Sequence, residues 1–216
     1  MKIKAVIYDM DGVLIDSEPL WIQSEIEIFA GLGIPLTHEM CAKHMGLRTE
    51  EVVELWYENM PWQGKSKEEV THDILKRVTQ LILTKGVPLE GVEDSIKHFK
   101  TLGLKVALAS SSAKSLINAV LKKLNLTGVF EVANSAEHLE YGKPHPEIFI
   151  KTAKDLGVKP GECLVIEDSF NGVLAAKAAK MKVIAIPDKE HRNDKGFVIA
   201  DHILNSLREI EIINIE

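Results

Sequence analysis

The sequence lacks most of the features that mark secreted, membrane-spanning or zinc-finger proteins. Only two cysteines occur among the 216 residues, Cys41 and Cys163, and their spacing fits neither a disulfide framework nor a metal motif. No window approaches the roughly 18 consecutive apolar residues of a membrane span. The apolar run after Met1 is too short for a signal peptide. These absences predict a cytoplasmic protein.

The sequence also lacks the excess of positive charge that binding to nucleic acid requires. The net charge is −6, and the 26 lysine and arginine residues are spread along the chain without a basic run. This balance argues against nucleic acid and anionic membranes as partners. No heptad pattern indicates a dimer, so the expected partner is a small molecule and the expected state is a monomer.

The sequence does contain an alternation of strand and helix patterns. Apolar runs rich in β-branched residues predict parallel strands that are covered on both faces. These runs span residues 4–8, 105–110, 129–135, 162–168 and 182–187. From the second run onward they alternate with helical patterns, which predicts a doubly wound, Rossmann-like α/β sheet.

One long segment interrupts this alternation. Residues 17–87 show only helical periodicity, and one of the predicted helices opens with the capping-box sequence SKEE. We therefore predict two domains: an α/β core of residues 1–16 and 88–216 that holds the catalytic site, and an inserted helical domain of residues 17–87. This inserted part is called the cap segment below.

Polar side chains follow several predicted strands at the point where each strand ends. The carboxyl ends of parallel strands lie along one edge of the sheet, and ligands bind there in open α/β sheets. These side chains are therefore expected to meet. The candidates, in chain order, are Asp9, Asp11, Ser110, Ser111, Ser112, Lys143, Glu167 and Asp168.

The chemistry of these groups indicates a phosphate and a metal ion. Four carboxylates at one place would repel one another, so a cation is implied, and oxygen ligands favour Mg²⁺. A lysine and a serine can bind a phosphoryl group and offset its charge. The serines also precede a predicted helix that begins near Ala113, whose free N–H groups favour an anion.

Four stretches resemble the signature motifs of the haloacid dehalogenase superfamily of phosphotransferases. DMDGVLIDSE is similar to the first motif, D-x-D-G, and VALASSS, GKPHP and VIEDSFNG resemble the second, third and fourth. The motifs occur in family order, and the helical insertion has the position of the family's cap. The resemblance implies a Mg²⁺-dependent phosphatase that acts on small phosphorylated metabolites such as sugar phosphates.

The resemblance also implies roles for particular carboxylates. Asp9 would be the nucleophile that becomes an aspartyl phosphate. Asp11 would be the general acid for the leaving alkoxide and then the base that activates water. The metal would be held by Asp9, the backbone carbonyl of Asp11 and Asp168, with Glu167 binding it directly or through a water molecule.

The remaining implied roles concern the substrate. Ser110 and the amide of Ser111 would bind the phosphoryl group, and Lys143 would neutralise charge between it and the nucleophile. In the cap segment, Arg48 belongs to a loop that would face the substrate; the alternative is a surface charge at a helix start. Trp21 is expected to pack within the cap segment, with lining of a sugar site as the alternative.

Two activities compete within the family. A leaving alkoxide needs a proton and a leaving halide does not, so the second acid argues against dehalogenation. Phosphomutases of the β-phosphoglucomutase type remain an alternative, but they carry His and Lys where this sequence has Trp21 and Met45. The stretches DSEPLW, MGLRTEEVVELWY and PWQGKS resemble phosphatases of hexose and hexitol phosphates, including 2-deoxyglucose 6-phosphate.

Interpretations outside the family are simpler but explain less. Asp before Gly is a common turn, and serines or acids before a helix are common caps. A phospho-aspartate signalling module also uses an α/β fold, Mg²⁺ and a lysine. It accepts phosphate on a later strand and has no use for a cap of about 70 residues, so the four ordered motifs favour an enzyme.

Overall fold

A six-stranded parallel sheet forms the centre of the molecule. The computed structural model describes residues 2–189 and 191–213. The strand order across the sheet is β3-β2-β1-β4-β5-β6, and every neighbouring pair is parallel. The strands are Ala5–Tyr8 (β1), Lys105–Ser110 (β2), Val132–Ser135 (β3), Cys163–Glu167 (β4), Lys182–Ala185 (β5) and His202–Ile203 (β6). The predicted Rossmann-like α/β class is confirmed.

The strand residues alternate between two buried faces. Val6 and Tyr8 of β1 belong to the hydrophobic cluster on one face, and Ala5 and Ile7 belong to the cluster on the other. All four are fully buried, which explains why the run is apolar at every position rather than at every second one. The sequence did not predict β6, because two exposed residues give no readable pattern.

Helices cover both faces of the sheet. The helices are Glu18–Gly31 (α1), His38–Ala42 (α2), Thr49–Asn59 (α3), Lys67–Lys85 (α4), Val92–Thr101 (α5), Lys114–Lys123 (α6), Glu147–Asp155 (α7) and Phe170–Ala178 (α8). Helices α5 and α6 pack on the face that carries Tyr8, while α7 and α8 pack on the opposite face. No helix in the described part of the chain is both long and apolar enough to cross a membrane.

Helices α1 to α4 form the cap segment and have a hydrophobic cluster of their own. Its centre is Phe29, whose ring meets the rings of Trp56 and Trp62 edge-on at 6.4 and 5.5 Å. The predicted capping box is present at the start of α4, where Ser66 accepts the N–H of Glu69 and the Glu69 carboxylate accepts the N–H of Ser66.

The cap segment joins the sheet through two adjacent connections. The N–H of Asp16 donates to the carbonyl of Val87 at 3.1 Å, and the N–H of Leu89 donates to the carbonyl of Leu14 at 3.1 Å. The chain therefore leaves and re-enters the α/β part at one place. The two-domain division remains a prediction, and the paired connections and the separate hydrophobic cluster support it.

Candidate active site

The strand order brings distant parts of the sequence to one point. Strand β1 lies between β2 and β4, and the chain turns in opposite directions on the two sides of it. Asp9 follows β1, Ser110 ends β2 and Glu167 ends β4, so these three residues are neighbours at the carboxyl edge of the sheet. This is the position where open α/β sheets bind ligands.

A buried lysine links the acids of the cluster. Lys143, from the loop between β3 and α7, is 2% exposed. Its Nζ donates to Oδ1 of Asp9 at 2.5 Å and to Oε1 of Glu167 at 2.6 Å, and it lies 5.1 Å from the ring centre of Phe149. One ammonium thus bridges two carboxylates that are 158 positions apart in sequence, because Asp9 and Glu167 lie at the carboxyl ends of adjacent strands.

The cluster contains three acids and one ammonium group. Burial raises the pKa of Asp9 to about 8, against the opposing effect of Lys143. Burial also raises the pKa of Asp168 well above its usual value, and the nearby Glu167 and Asp9 add to this shift. Burial alone would lower the pKa of Lys143, but the two carboxylates overcome it and raise the value. Three acids therefore share one ammonium, and a further cation at the site would favour their ionised forms.

The donor set fits a divalent metal ion. Carboxylate oxygens of Asp9, Glu167 and Asp168 lie within 4.8 Å of one another, and all three residues are buried. Hard oxygen donors of this kind suit Mg²⁺. Oε1 of Glu167 is held by Lys143 and Oε2 accepts the N–H groups of Asp168 and Ser169, so Glu167 also fixes the turn that carries Asp168.

Two glycines allow the backbone to approach these acids closely. Gly12 has a φ of +72°, and a Cβ atom there would lie 1.8 Å from Oδ2 of Asp168. A Cβ atom on Gly172, in the first turn of α8, would lie 1.8 Å from Oε1 of Glu167. Any side chain at either position would displace a carboxylate of the cluster.

Asp11 points away from this cluster and toward the cap segment. Its Oδ1 accepts hydrogen bonds from the Ser17 hydroxyl at 2.6 Å and from the Trp21 indole N–H at 2.9 Å. Its Oδ2 accepts the Ser112 hydroxyl at 2.8 Å. The second acid of the D-x-D-G motif is therefore oriented by both parts of the chain, and its side chain lies apart from the carboxylates that suit a metal ion.

The serines at the end of β2 and directly after it make different hydrogen bonds. The Ser110 side chain is buried, and its oxygen accepts the N–H of Ser112 at 3.0 Å. The Ser111 hydroxyl donates to the carbonyl of Gly46 in the cap segment at 2.8 Å. The predicted helix follows directly, with Ala113 as its N-cap residue, so the first N–H groups of α6 lie beside this loop.

A cavity of about 90 Å³ separates the acids from the cap segment. Its core side is lined by Asp9, Asp11, Gly12, Ser110, Ser111, Ser112, Lys143 and Asp168. Its cap side is lined by Glu18, Trp21, Ile22, Glu25, Cys41, His44, Met45, Gly46, Leu47, Thr49 and Val52. All the core residues predicted for the site therefore meet at this cavity except Glu167, which lies directly behind Lys143 and Asp168.

Arg48 is the predicted site residue that the structure places elsewhere. Its guanidinium donates to the carbonyl of Leu139 at 2.8 Å and to the carboxylate of Glu51 at 2.8 Å. It is not among the described residues that line the cavity. The side chain is mostly buried where α3 meets the loop before Gly142, so it is neither a free surface charge nor a group facing the cavity.

Two contributors to the site, Ser17 and Asn171, were not predicted from the sequence. Ser17 holds the carboxylate of Asp11 together with Trp21 and the predicted Ser112, and Asn171 donates from its Nδ2 to the carbonyl of Met45 at 3.0 Å. Trp21 was expected to pack or to line a sugar site. It lines the cavity, and from the first turn of α1 its indole N–H also donates a hydrogen bond to Asp11.

Comparison with protein-family models supports the family resemblance of the four sequence motifs. The model of the haloacid dehalogenase-like hydrolases matches residues 6–186, which include the four motifs and the cap segment. The match therefore spans most of the sheet and the whole helical insertion.

Two relatives match nearly the full chain. Hexitol phosphatase B of Escherichia coli (strain K12) is 42% identical over 210 residues, which are 97% of this chain and 95% of that protein. The phosphorylated carbohydrates phosphatase of Thermotoga maritima is 30% identical over 217 residues, 96% of this chain and 99% of that one. Among solved structures, β-phosphoglucomutase of Clostridium difficile superposes with a TM-score of 0.84 at 25% identity, covering 96% of this chain and 93% of that chain.

Proposed function

Because this chain belongs to the haloacid dehalogenase-like hydrolases, whose family model covers most of it, we propose that it is a Mg²⁺-dependent phosphatase of sugar or polyol phosphates. The reaction would proceed through an aspartyl phosphate on Asp9. The observation that carries the proposal is the buried group of Asp9, Lys143 and Asp168 beneath a cavity that the cap segment covers. The names of the two relatives above support sugars and hexitols as the substrate class.

The first half-reaction transfers the phosphoryl group to the protein. A carboxylate oxygen of Asp9 attacks phosphorus, and the bond between phosphorus and the sugar oxygen breaks. Asp11, in its protonated form, gives its proton to the leaving alkoxide. Lys143 and the N–H groups at the start of α6 stabilise the charge on the phosphoryl oxygens.

The second half-reaction releases inorganic phosphate. Asp11, now a carboxylate, takes a proton from a water molecule, which attacks phosphorus and frees the Asp9 carboxylate. Asp9 and Asp168 would hold Mg²⁺, with Glu167 bound to it or anchoring the turn that carries Asp168, and the ion would offset the charge of the phosphate when bound. The cap segment limits access of other water molecules to the cavity.

A structural likeness favours the phosphomutase alternative, but the residue at position 21 argues against it. The β-phosphoglucomutase noted above shares the fold at high structural similarity. In this chain the position that carries His in such mutases is Trp21, whose N–H can donate a hydrogen bond but cannot accept or transfer a proton. The signalling-module interpretation is wrong, because the chain belongs to a hydrolase family.

One assay tests the proposal and separates it from the mutase alternative. Release of inorganic phosphate is measured with Mg²⁺ over a panel of phosphorylated metabolites: hexitol and hexose phosphates, glycerol phosphate, nucleoside monophosphates and β-glucose 1-phosphate. We expect hexitol and hexose phosphates to be hydrolysed fastest. Conversion of β-glucose 1-phosphate to glucose 6-phosphate without phosphate release would identify a mutase instead. A cytoplasmic location and a monomeric state remain predictions.

A further inference from the structure

The cap side of the cavity contains a carboxyl group that the proposed chemistry does not use. Glu25 lies on α1 four residues after Trp21, so the two side chains share one face of the helix. Both line the cavity. Because the Trp21 indole binds Asp11, Glu25 lies about one helical turn farther along α1 from the reacting atoms.

One oxygen of this carboxyl group has no hydrogen-bond partner in the described part of the chain. Oε2 of Glu25 is buried and unpaired. The Cys41 thiol hydrogen-bonds to the carboxyl group, but a thiol is a weak donor. A buried polar atom without a partner is costly, and such atoms in native proteins usually serve a ligand, a water molecule or a catalytic step.

The surroundings of Glu25 suit a hydroxyl-bearing ligand rather than a second phosphate. Among the described residues, no lysine or arginine lines the cap side of the cavity, and burial together with the nearby Lys43 lowers the pKa of its one histidine, His44, which disfavours the charged form. A second phosphate beside a carboxyl group would need cations there. A sugar hydroxyl can donate to the free oxygen and place its carbon chain against the apolar side chains.

We propose that Glu25 is a specificity-determining residue that hydrogen-bonds a hydroxyl at the non-phosphorylated end of the substrate. The inference rests on the proposed function, since it needs a phosphorylated polyol or sugar as the substrate. Glu25 selects among phosphate esters by their hydroxyl groups, while Asp9 and Asp11 act on the phosphate common to all of them. Burial raises the pKa of Glu25 to about 7, and a carboxyl group in either protonation state can pair with a hydroxyl.

The first test compares two substrates in the full-length protein with Mg²⁺. Steady-state kcat/KM is measured for a hexitol 6-phosphate and for p-nitrophenyl phosphate, which has no hydroxyl chain. In Glu25→Gln, which keeps the shape of the side chain, we expect the ratio of the two values to fall about 10-fold. In Glu25→Leu it should fall about 10- to 100-fold. An unchanged ratio in both variants would overturn the assignment of Glu25.

A matched control is available on the same helix. Glu27 is on the outer side of α1, where it is paired with Arg77 and Gln23 and does not line the cavity. Glu27→Gln makes the same chemical change and should leave the ratio unaltered. A fall of similar size in this control would mean that any charge change on α1 acts through the fold, which would overturn the assignment.

Deoxy substrates identify the contact. If the wild-type enzyme loses kcat/KM on one deoxyhexitol phosphate and Glu25→Gln shows no further loss on that compound, the two changes remove the same hydrogen bond. Losses that multiply for every deoxy compound would contradict a direct contact. A wild-type preference for amino-sugar phosphates over hexitol phosphates would assign an ammonium to Glu25 and overturn the hydroxyl assignment.

The proposed function can fail separately from this inference. A wild-type enzyme that hydrolyses p-nitrophenyl phosphate but no sugar or polyol phosphate would overturn the proposed substrate class, and the role of Glu25 with it. Hydrolysis of hexitol phosphates together with an unchanged ratio in the Glu25 variants would overturn only the role of Glu25.

Discussion

At the scale of single residues, two aspartates that are close in sequence have different surroundings in the site. Asp9 is buried beside Lys143 and next to two further acids. Asp11 lies two positions later, and its carboxylate is held by hydroxyl and indole donors instead. A group that receives a phosphoryl group needs cations around it, whereas a group that exchanges protons with the substrate must be held in a fixed position beside the leaving oxygen.

Replacement of either aspartate by asparagine should separate the two roles. Asp9→Asn removes the nucleophile, so we expect phosphate release to fall at least about 10³-fold and no phosphoenzyme to form. Asp11→Asn should slow both half-reactions and let the phosphoenzyme persist, as measured by acid quench with ³²P-labelled substrate. The control is Asp94→Asn, in the exposed first turn of α5. Near wild-type turnover in Asp9→Asn would contradict the mechanism.

Lys143 is expected to matter for stability as well as for turnover. Lys143→Met leaves Asp9 and Glu167 buried without their shared ammonium, and loss of one member of a buried ion pair costs about 3–5 kcal/mol. Urea unfolding without divalent metal should show a loss of that size. The matched control, Lys151→Met, removes a lysine from an exposed pair with Asp155 and should change stability little. Equal stability of the two variants would show that Lys143 does not hold the acids together.

At the scale of structural elements, three side-chain hydrogen bonds to backbone carbonyls are among the contacts that hold the cap segment against the α/β core. The Ser111 hydroxyl and the Asn171 amide donate to the carbonyls of Gly46 and Met45, and Arg48 donates to the carbonyl of Leu139. Each contact uses a backbone carbonyl of a loop as the acceptor. Such contacts depend on the positions of whole elements rather than on a particular partner side chain.

Loss of one of these contacts should weaken closure without removing a reacting group. Asn171→Ala removes the hydrogen bond to Met45, which is worth about 1 kcal/mol. We expect kcat/KM for the preferred substrate to fall about five-fold, while the unfolding midpoint stays close to that of the wild type. Asn59→Ala serves as the control, because Asn59 is exposed and bonds only to its own helix. A value of kcat/KM equal to that of the control would show that this contact does not contribute to closure.

At the scale of the whole molecule, the fold gathers acidic side chains from the ends of two strands, β1 and β4, into a single buried cluster. Asp9, Glu167 and Asp168 share only Lys143 among the described residues as a paired cation. A divalent metal ion that binds the folded chain and not the unfolded one stabilises the fold by mass action. The cluster therefore couples metal binding to global stability.

Mg²⁺ should for this reason stabilise the protein in the absence of any substrate. At a concentration 100 times its dissociation constant, the free energy of unfolding should rise by about 2.7 kcal/mol. In Asp168→Asn most of this gain should disappear, whereas Asp94→Asn should retain it. Urea unfolding with Mg²⁺ and with a chelator provides the measurement. If the unfolding midpoints of the wild type are the same under both conditions, the cluster does not bind Mg²⁺.

The sequence by itself determined most of the elements and the residues of the core motifs, but not the short strand β6. The continuous apolar runs and the helical insertion predicted the α/β class, because burial on two faces leaves a readable pattern. The order of the motifs likewise predicted the family. Only the tertiary structure decided what surrounds Asp11, where Arg48 lies and that Glu25 has an unpaired oxygen, because these facts depend on how α1 and α3 pack over the sheet. The hydrophobic periodicity of a sequence indicates which face of a helix is buried. It does not indicate which side chains that face meets across a cavity.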